Sequence, residues 1–81
     1  MNDKQIQAEW LGIAGKQLIG KRITGVRYMT QEEANSLYWS KRPLVITLDD
    51  GSWFMPSRDD ECNDGGSLIT SDQAESVLPV L

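Results

Sequence analysis

The residues with most chemical capacity lie in one run, Asp59-Asp60-Glu61-Cys62-Asn63-Asp64-Gly65. Its Asp60-x-Cys62-x-Asp64-Gly65 spacing follows the opening of a calcium loop, in which oxygen ligands at alternate positions converge on a hard cation. Two departures weaken the match. Cys62 is a poor calcium ligand at the third position, and the acid required at the twelfth falls on Ser71, with Asp72 one place late. The frame Asp59, Glu61, Asn63 loses the glycine. Asp60 and Asp64 therefore stand as the candidate cation ligands. The simpler reading is a loop whose Asp and Asn side chains bond their own backbone.

Cys62 is the single cysteine. A nucleophilic thiolate needs a nearby base or positive charge, whereas Asp60, Glu61 and Asp64 surround this one. The chain contains no histidine, the commonest general acid/base and metal ligand. Paired carboxylates can work without histidine, but a small domain offers little surface to enclose a sugar, and Asp49-Asp50 suit a turn. Gly65-Gly66 lacks the lysine of a phosphate-binding loop. These residue types point away from an enzyme and from a bound cofactor.

Charge is distributed unevenly. Residues 1–42 hold seven basic and four acidic side chains, a balance of +3, while residues 43–81 hold one and eight, a balance of −7. The basic part, with Lys16, Lys21, Arg22, Arg27, Lys41 and Arg42 interleaved with Tyr28, Tyr38 and Trp39, resembles a stacking surface for single-stranded nucleic acid. A net charge of −4 opposes phosphate binding and makes that partner the less favoured one. The polarity equally suits a protein partner, or copies meeting head to tail. Trp39, Lys41, Arg42, Arg58, Asp59 and Glu61 are the candidate partner contacts. The first residues have neither the basic nor the apolar region of a secretory signal, and no run matches a membrane span, so the expected compartment is a reducing cytoplasm.

With 81 residues, 40% of them apolar, one small folded domain is expected. At 100° per residue, Ile6, Trp10, Leu11, Ile13, Ala14 and Leu18 share one arc, predicting a helix over about 3–19 capped by Asn2 and Gln5 and stopped by Gly20. A helix of this composition is marginal alone, so its stripe is expected to dock on a sheet with Trp10 as anchor. Lys21–Thr30 predicts a strand with a bulge at Thr24-Gly25, and Thr30-Gln31-Glu32-Glu33 a capping box opening a short helix. Leu44–Met55 predicts a hairpin with Asp50-Gly51 as its two-residue loop. That register pairs Leu48 with Trp53 and Ile46 with Met55, and places Leu44, Ile46, Leu48, Trp53 and Met55 on one face. Pro56 should end the ladder. Ser67–Thr70 and Val77–Val80 complete about five strands, with Leu81 drawn toward the core.

The stretch Leu48-Asp49-Asp50-Gly51-Ser52-Trp53-Phe54-Met55-Pro56-Ser57-Arg58-Asp59-Asp60-Glu61 with Asn63-Asp64-Gly65-Gly66 resembles one in small proteins of environmental bacteria and phages that carry no assigned activity. The resemblance implies that hairpin and acidic loop occur together, and transfers no catalytic residue. The expected architecture is mainly β with an N-terminal helix, α+β in class. Its sheet is small, bent and antiparallel, an SH3-like partial barrel. The expected function is that of a non-enzymatic binding or protein-interaction module, able to pair with itself. Cation binding at the acidic loop and single-strand binding by the basic half are the alternatives.

Overall fold

Asp49-Asp50-Gly51 turns the chain between strands Leu44–Leu48 and Trp53–Phe54 in the computed structural model, which describes residues 2–81. These strands are β2 and β3, preceded by helix α1 (Asp3–Leu18), strand β1 (Ile23–Tyr28) and helix α2 (Gln31–Ser36), and followed by β4 (Leu68–Ile69) and β5 (Val77–Leu78). The hairpin forms, but with a three-residue loop. The Leu48 amide donates to the Ser52 carbonyl at 2.9 Å and the Gly51 amide to the Leu48 carbonyl at 3.0 Å. Among the loop residues only Gly51 has positive φ, at 87°, whereas a two-residue type I′ loop requires Asp50 to adopt it too. Asp50 is held otherwise: its carboxylate accepts from the Ser52 amide at 3.0 Å and from Lys21 Nζ at 2.8 Å.

This one-residue shift changes what each face carries. Thr47 pairs with Trp53 and Ile46 with Phe54, replacing the expected Leu48–Trp53 and Ile46–Met55 pairs. Val45, Thr47, Trp53 and Met55 share one face, and Leu44, Ile46, Leu48 and Phe54 the other. β1 adds antiparallel to β2 with the expected irregularity between Ile23 and Gly25. β3 stops two residues before Pro56.

The five strands do not form one curled sheet. β1-β2-β3 and β4-β5 are separate open sheets, so the SH3-like expectation is not met. The α+β class, with an N-terminal helix and small antiparallel sheets, stands. The physical reason is the loop 55–67, which leaves the ladder before Pro56, closes on itself through the Ser57–Gly65 bridge and so separates β3 from β4.

Helix α1 carries the expected capping box, Asn2 and Gln5 each accepting from the other's amide at 2.9 and 2.8 Å. Its docking is the largest departure. No α1 residue is buried, and Trp10 is 63% exposed rather than a core anchor. Once the register shifts, the expected five-residue apolar seat no longer exists on one face. α2 and Trp39 pack instead on the Val45 face, opposite the Leu44, Ile46 and Leu48 face expected to seat α1. Met29, Ala34, Trp39 and Val45 form the buried cluster, with Met55 against it. The terminal segment is tied by backbone: Arg42 and Leu81 exchange two hydrogen bonds of 2.8 and 3.0 Å, and Tyr28 Oη donates to the Pro79 carbonyl at 2.9 Å. The Leu81 side chain remains half exposed, outside the core.

Candidate functional site

Thr30 begins α2 by accepting the Glu33 amide on its hydroxyl at 3.1 Å while donating its own amide to Glu33 Oε1 at 2.9 Å. This reciprocal cap turns the Glu33 carboxylate back toward β1, where Arg27 donates to both of its oxygens at 2.8 and 3.1 Å. The pair stands beside a groove of about 370 Å³ lined by Met29, Val45, Thr47 and Met55 and by Ser36 and Leu37 of the α2 end, with Trp53 at its margin. Met29 and Val45 are buried, while Leu37 and Trp53 are 46% and 60% exposed. An apolar floor beside a fixed ion pair and the hydroxyls of Ser36 and Thr47 favours binding an apolar group in a defined orientation.

The Arg27 guanidinium and the Thr30 amide pull the Glu33 carboxyl from 4.5 down to about 2, and Glu33 in turn raises Arg27. Lys21, then Ser52, holds Asp50 well below the carboxylate range. A lowered folded value means the interaction contributes fully at neutral pH. It fades as pH falls from about 4.5 toward about 2. Thermal unfolding at pH 7 and pH 3 should therefore show a lower midpoint in acid, and Glu33→Gln should narrow that difference. An equal acid loss in both proteins would place the sensitivity in other carboxylates.

The acidic loop is built on its own backbone. Asp59 accepts from the amides of Glu61 and Asn63, both at 3.1 Å, and from Asn63 Nδ2 at 2.9 Å. Ser57 Oγ donates to the Asp59 carbonyl. The Asn63 contacts, side chain first, lower the Asp59 pKa. Asp64 is buried and joins the loop to the segment after α2. It accepts from Ser40 Oγ at 2.6 Å, from the Lys41 amide at 2.9 Å and from the Gly65 amide at 2.8 Å. The Ser40 hydroxyl is the main cause of its lowered pKa. Asp60 is exposed, and among the described residues no three acidic or thiol groups gather as a metal ligand set.

The expected partner residues do not make one surface. Trp39 is buried, its indole Nε1 donating to the Cys62 carbonyl at 2.8 Å, so its ring is no stacking platform and no partner contact. Tyr38 adopts φ 60° and is 95% exposed, and this left-handed turn sends the next side chain inward. Lys41 is exposed; Arg42 is half-buried, with Nη1 reaching the Met29 carbonyl at 3.5 Å. Arg58 lies 3.6 Å from Asp59, and Glu61 is exposed. Cys62 is exposed, with φ 58°. The groove residues were not selected by the sequence reading. The available signal was Thr30-x-x-Glu33, which directs an acid back onto the preceding strand and its Arg27.

No protein-family model matches the sequence, and neither a curated protein nor a solved structure gives a significant match. Fold and groove thus define the protein as a small α+β chain with an apolar cleft. No helix among the described residues is long and apolar enough to cross a membrane.

Proposed function

We infer that this protein is a non-enzymatic interaction module that receives one large apolar side chain of a partner polypeptide in the groove between α2 and the sheet. The observation carrying this reading is the pairing of exposed Trp53 and Leu37 with the buried floor of Met29 and Val45. Exposed tryptophan beside a preformed apolar cleft is the usual composition of an interaction hot spot. The volume lies at the small end of ligand cavities, about 300–1,000 Å³, and admits a large apolar side chain. The acid beside the groove supports binding over chemistry. With its pKa near 2 and both oxygens on Arg27, Glu33 is a weak base at neutral pH.

The test is a nitrogen-15 amide titration with capped hexapeptides bearing a central Leu, Met, Phe or Lys. Apolar peptides should shift Met29, Leu37, Val45 and Trp53, and Trp53→Ala should weaken binding by about tenfold or more. Turnover in a hydrolase or nuclease screen, abolished by Asp60→Ala, would overturn the reading. Heat on adding Ca²⁺ or Mg²⁺ without peptide binding would move the function to the acidic loop. Salt-dependent binding of an oligonucleotide alone would move it to the Lys41–Arg42 side.

A further inference from the structure

Sheet β1-β2-β3 is open, with β1 and β3 as its edges. The Leu48 amide bonds the Ser52 carbonyl, so the hydrogen-bonded sites of the β2–β3 ladder fall at Leu48–Ser52 and Ile46–Phe54. Thr47–Trp53 is the intervening pair, and there the amide and carbonyl of Trp53 point away from β2. Neither group has another backbone partner among the described residues. The side chains of Trp53 and of Met55, two residues on, both line the groove. The β1 edge differs. The same parity turns outward the backbone of Val26 and Tyr28, whose side chains share the opposite face with Ile46 and Leu44. The Tyr28 carbonyl there already accepts from Arg27 Nη1 at 3.2 Å. Only at β3 do outward backbone groups and groove-lining side chains belong to the same residue.

We propose, resting on the reading of the groove given above, that the partner polypeptide adds to the β3 edge as an antiparallel strand. Its large apolar side chain enters the groove, and lysine or arginine precedes that residue. An unpaired amide and carbonyl on one edge residue select a polypeptide backbone, which satisfies both at once. A residue opposite Trp53 exchanges both hydrogen bonds with it, and the pleat sends that residue's side chain to the groove face. Antiparallel pairing is the more stable per residue. Charge sets what flanks the apolar residue. Beyond Pro56 the chain enters a loop in which Arg58 stands against Asp59, Asp60, Glu61 and Asp64, and Asp60 and Glu61 are exposed. At the turn end, Lys21 lies 2.8 Å from Asp50, and the Asp49 amide donates to the Arg22 carbonyl, so acid and base balance. An antiparallel strand reaches the acidic end first, which places its basic residues before the apolar one.

The test uses the capped peptide Lys-Lys-Thr-Leu-Thr-Thr with the full chain, read by nitrogen-15 titration and amide hydrogen exchange. Binding should shift Met29 and Val45 and slow exchange of the Trp53 amide. N-methylation of the leucine amide should weaken binding by about tenfold or more, because that donor meets the Trp53 carbonyl. N-methylation of either adjacent threonine, whose amides point away, should leave it unchanged. Glutamate in place of both lysines should weaken binding by about twofold or more. A peptide that shifts Met29 and Val45 but neither protects the Trp53 amide nor responds to leucine methylation would overturn the strand and leave the groove reading standing. No binding of any apolar peptide would overturn both. Sensitivity at the threonine amides, the mark of a parallel strand, would also overturn the proposal, as would equal binding of the glutamate peptide. Trp53 protection that appears without peptide and grows with protein concentration would assign the edge to a second copy instead.

Discussion

Trp39→Ala is expected to bring the protein close to unfolding. Removing a buried tryptophan costs about 3–5 kcal/mol, and a domain of this length holds only about 4–12 kcal/mol in total. At about 4–8 °C per kcal/mol, the thermal midpoint should fall by roughly 12–40 °C. The loss is large because Trp39 performs two tasks. Its ring packs with Met29, fully buried Ala34 and Val45, and its indole N–H satisfies the Cys62 carbonyl. Trp39→Phe separates them, since the ring remains while that carbonyl loses its donor, a cost of about 1–3 kcal/mol. Equal losses in the two variants would mean the hydrogen bond, not the packing, carries the effect. The measurement is reversible thermal unfolding followed by far-ultraviolet circular dichroism.

Gly65→Ala should be the second most damaging change, through sterics rather than conformation. A Cβ at Gly65 would lie 2.6 Å from Pro43 Cδ and 3.2 Å from Pro43 N. Pro43 is fully buried and its ring has no rotamer to vacate. Overpacking of this kind costs about 1–3 kcal/mol, and contact with a backbone atom favours the upper end. The loss should appear as a midpoint lower by roughly 10 °C or more. Gly12→Ala supplies the contrast. Nothing lies within 4 Å of its Cβ, and alanine favours a helix interior by about 1 kcal/mol. It should raise helical content without harming the sheet. A Gly65→Ala protein as stable as the parent would show that the Pro43–Gly65 contact yields easily.

Local chemistry was the legible part of the sequence. Asn2 with Gln5 and Thr30 with Glu33 announced both helix starts, and Gly25 announced the bulge, because each device is complete within a few residues. The hairpin was legible in position but not in register. Asp50-Gly51 suits two loop lengths, and the choice rests on Ser52 and the distant Lys21. Trp39 read as surface because Ser40, Lys41 and Arg42 follow it, and the turn at Tyr38 that carries it inward has no strong sequence signal. The α1 stripe shows the general limit. Apolar period 3.6 identifies a face, not what the face meets. For the site, a capping box pointed to Glu33, while the groove depends on packing between α2 and β2 that no spacing encodes.

The bonds around Asp64 have a kinetic meaning as well. Ser40, Lys41 and Trp39 reach Asp64 and Cys62 across 23 or 24 residues of chain. Closing that length costs conformational entropy before any contact repays it, whereas the β2–β3 turn closes locally. By this measure the hairpin closes before the Asp64 contacts, and the Tyr28–Pro79 contact, 51 residues apart, closes later still. Asp64 is thus a latch between the 57–66 loop and the segment after α2, and its removal is expected to loosen that loop from Trp39 before the β2–β3 ribbon opens.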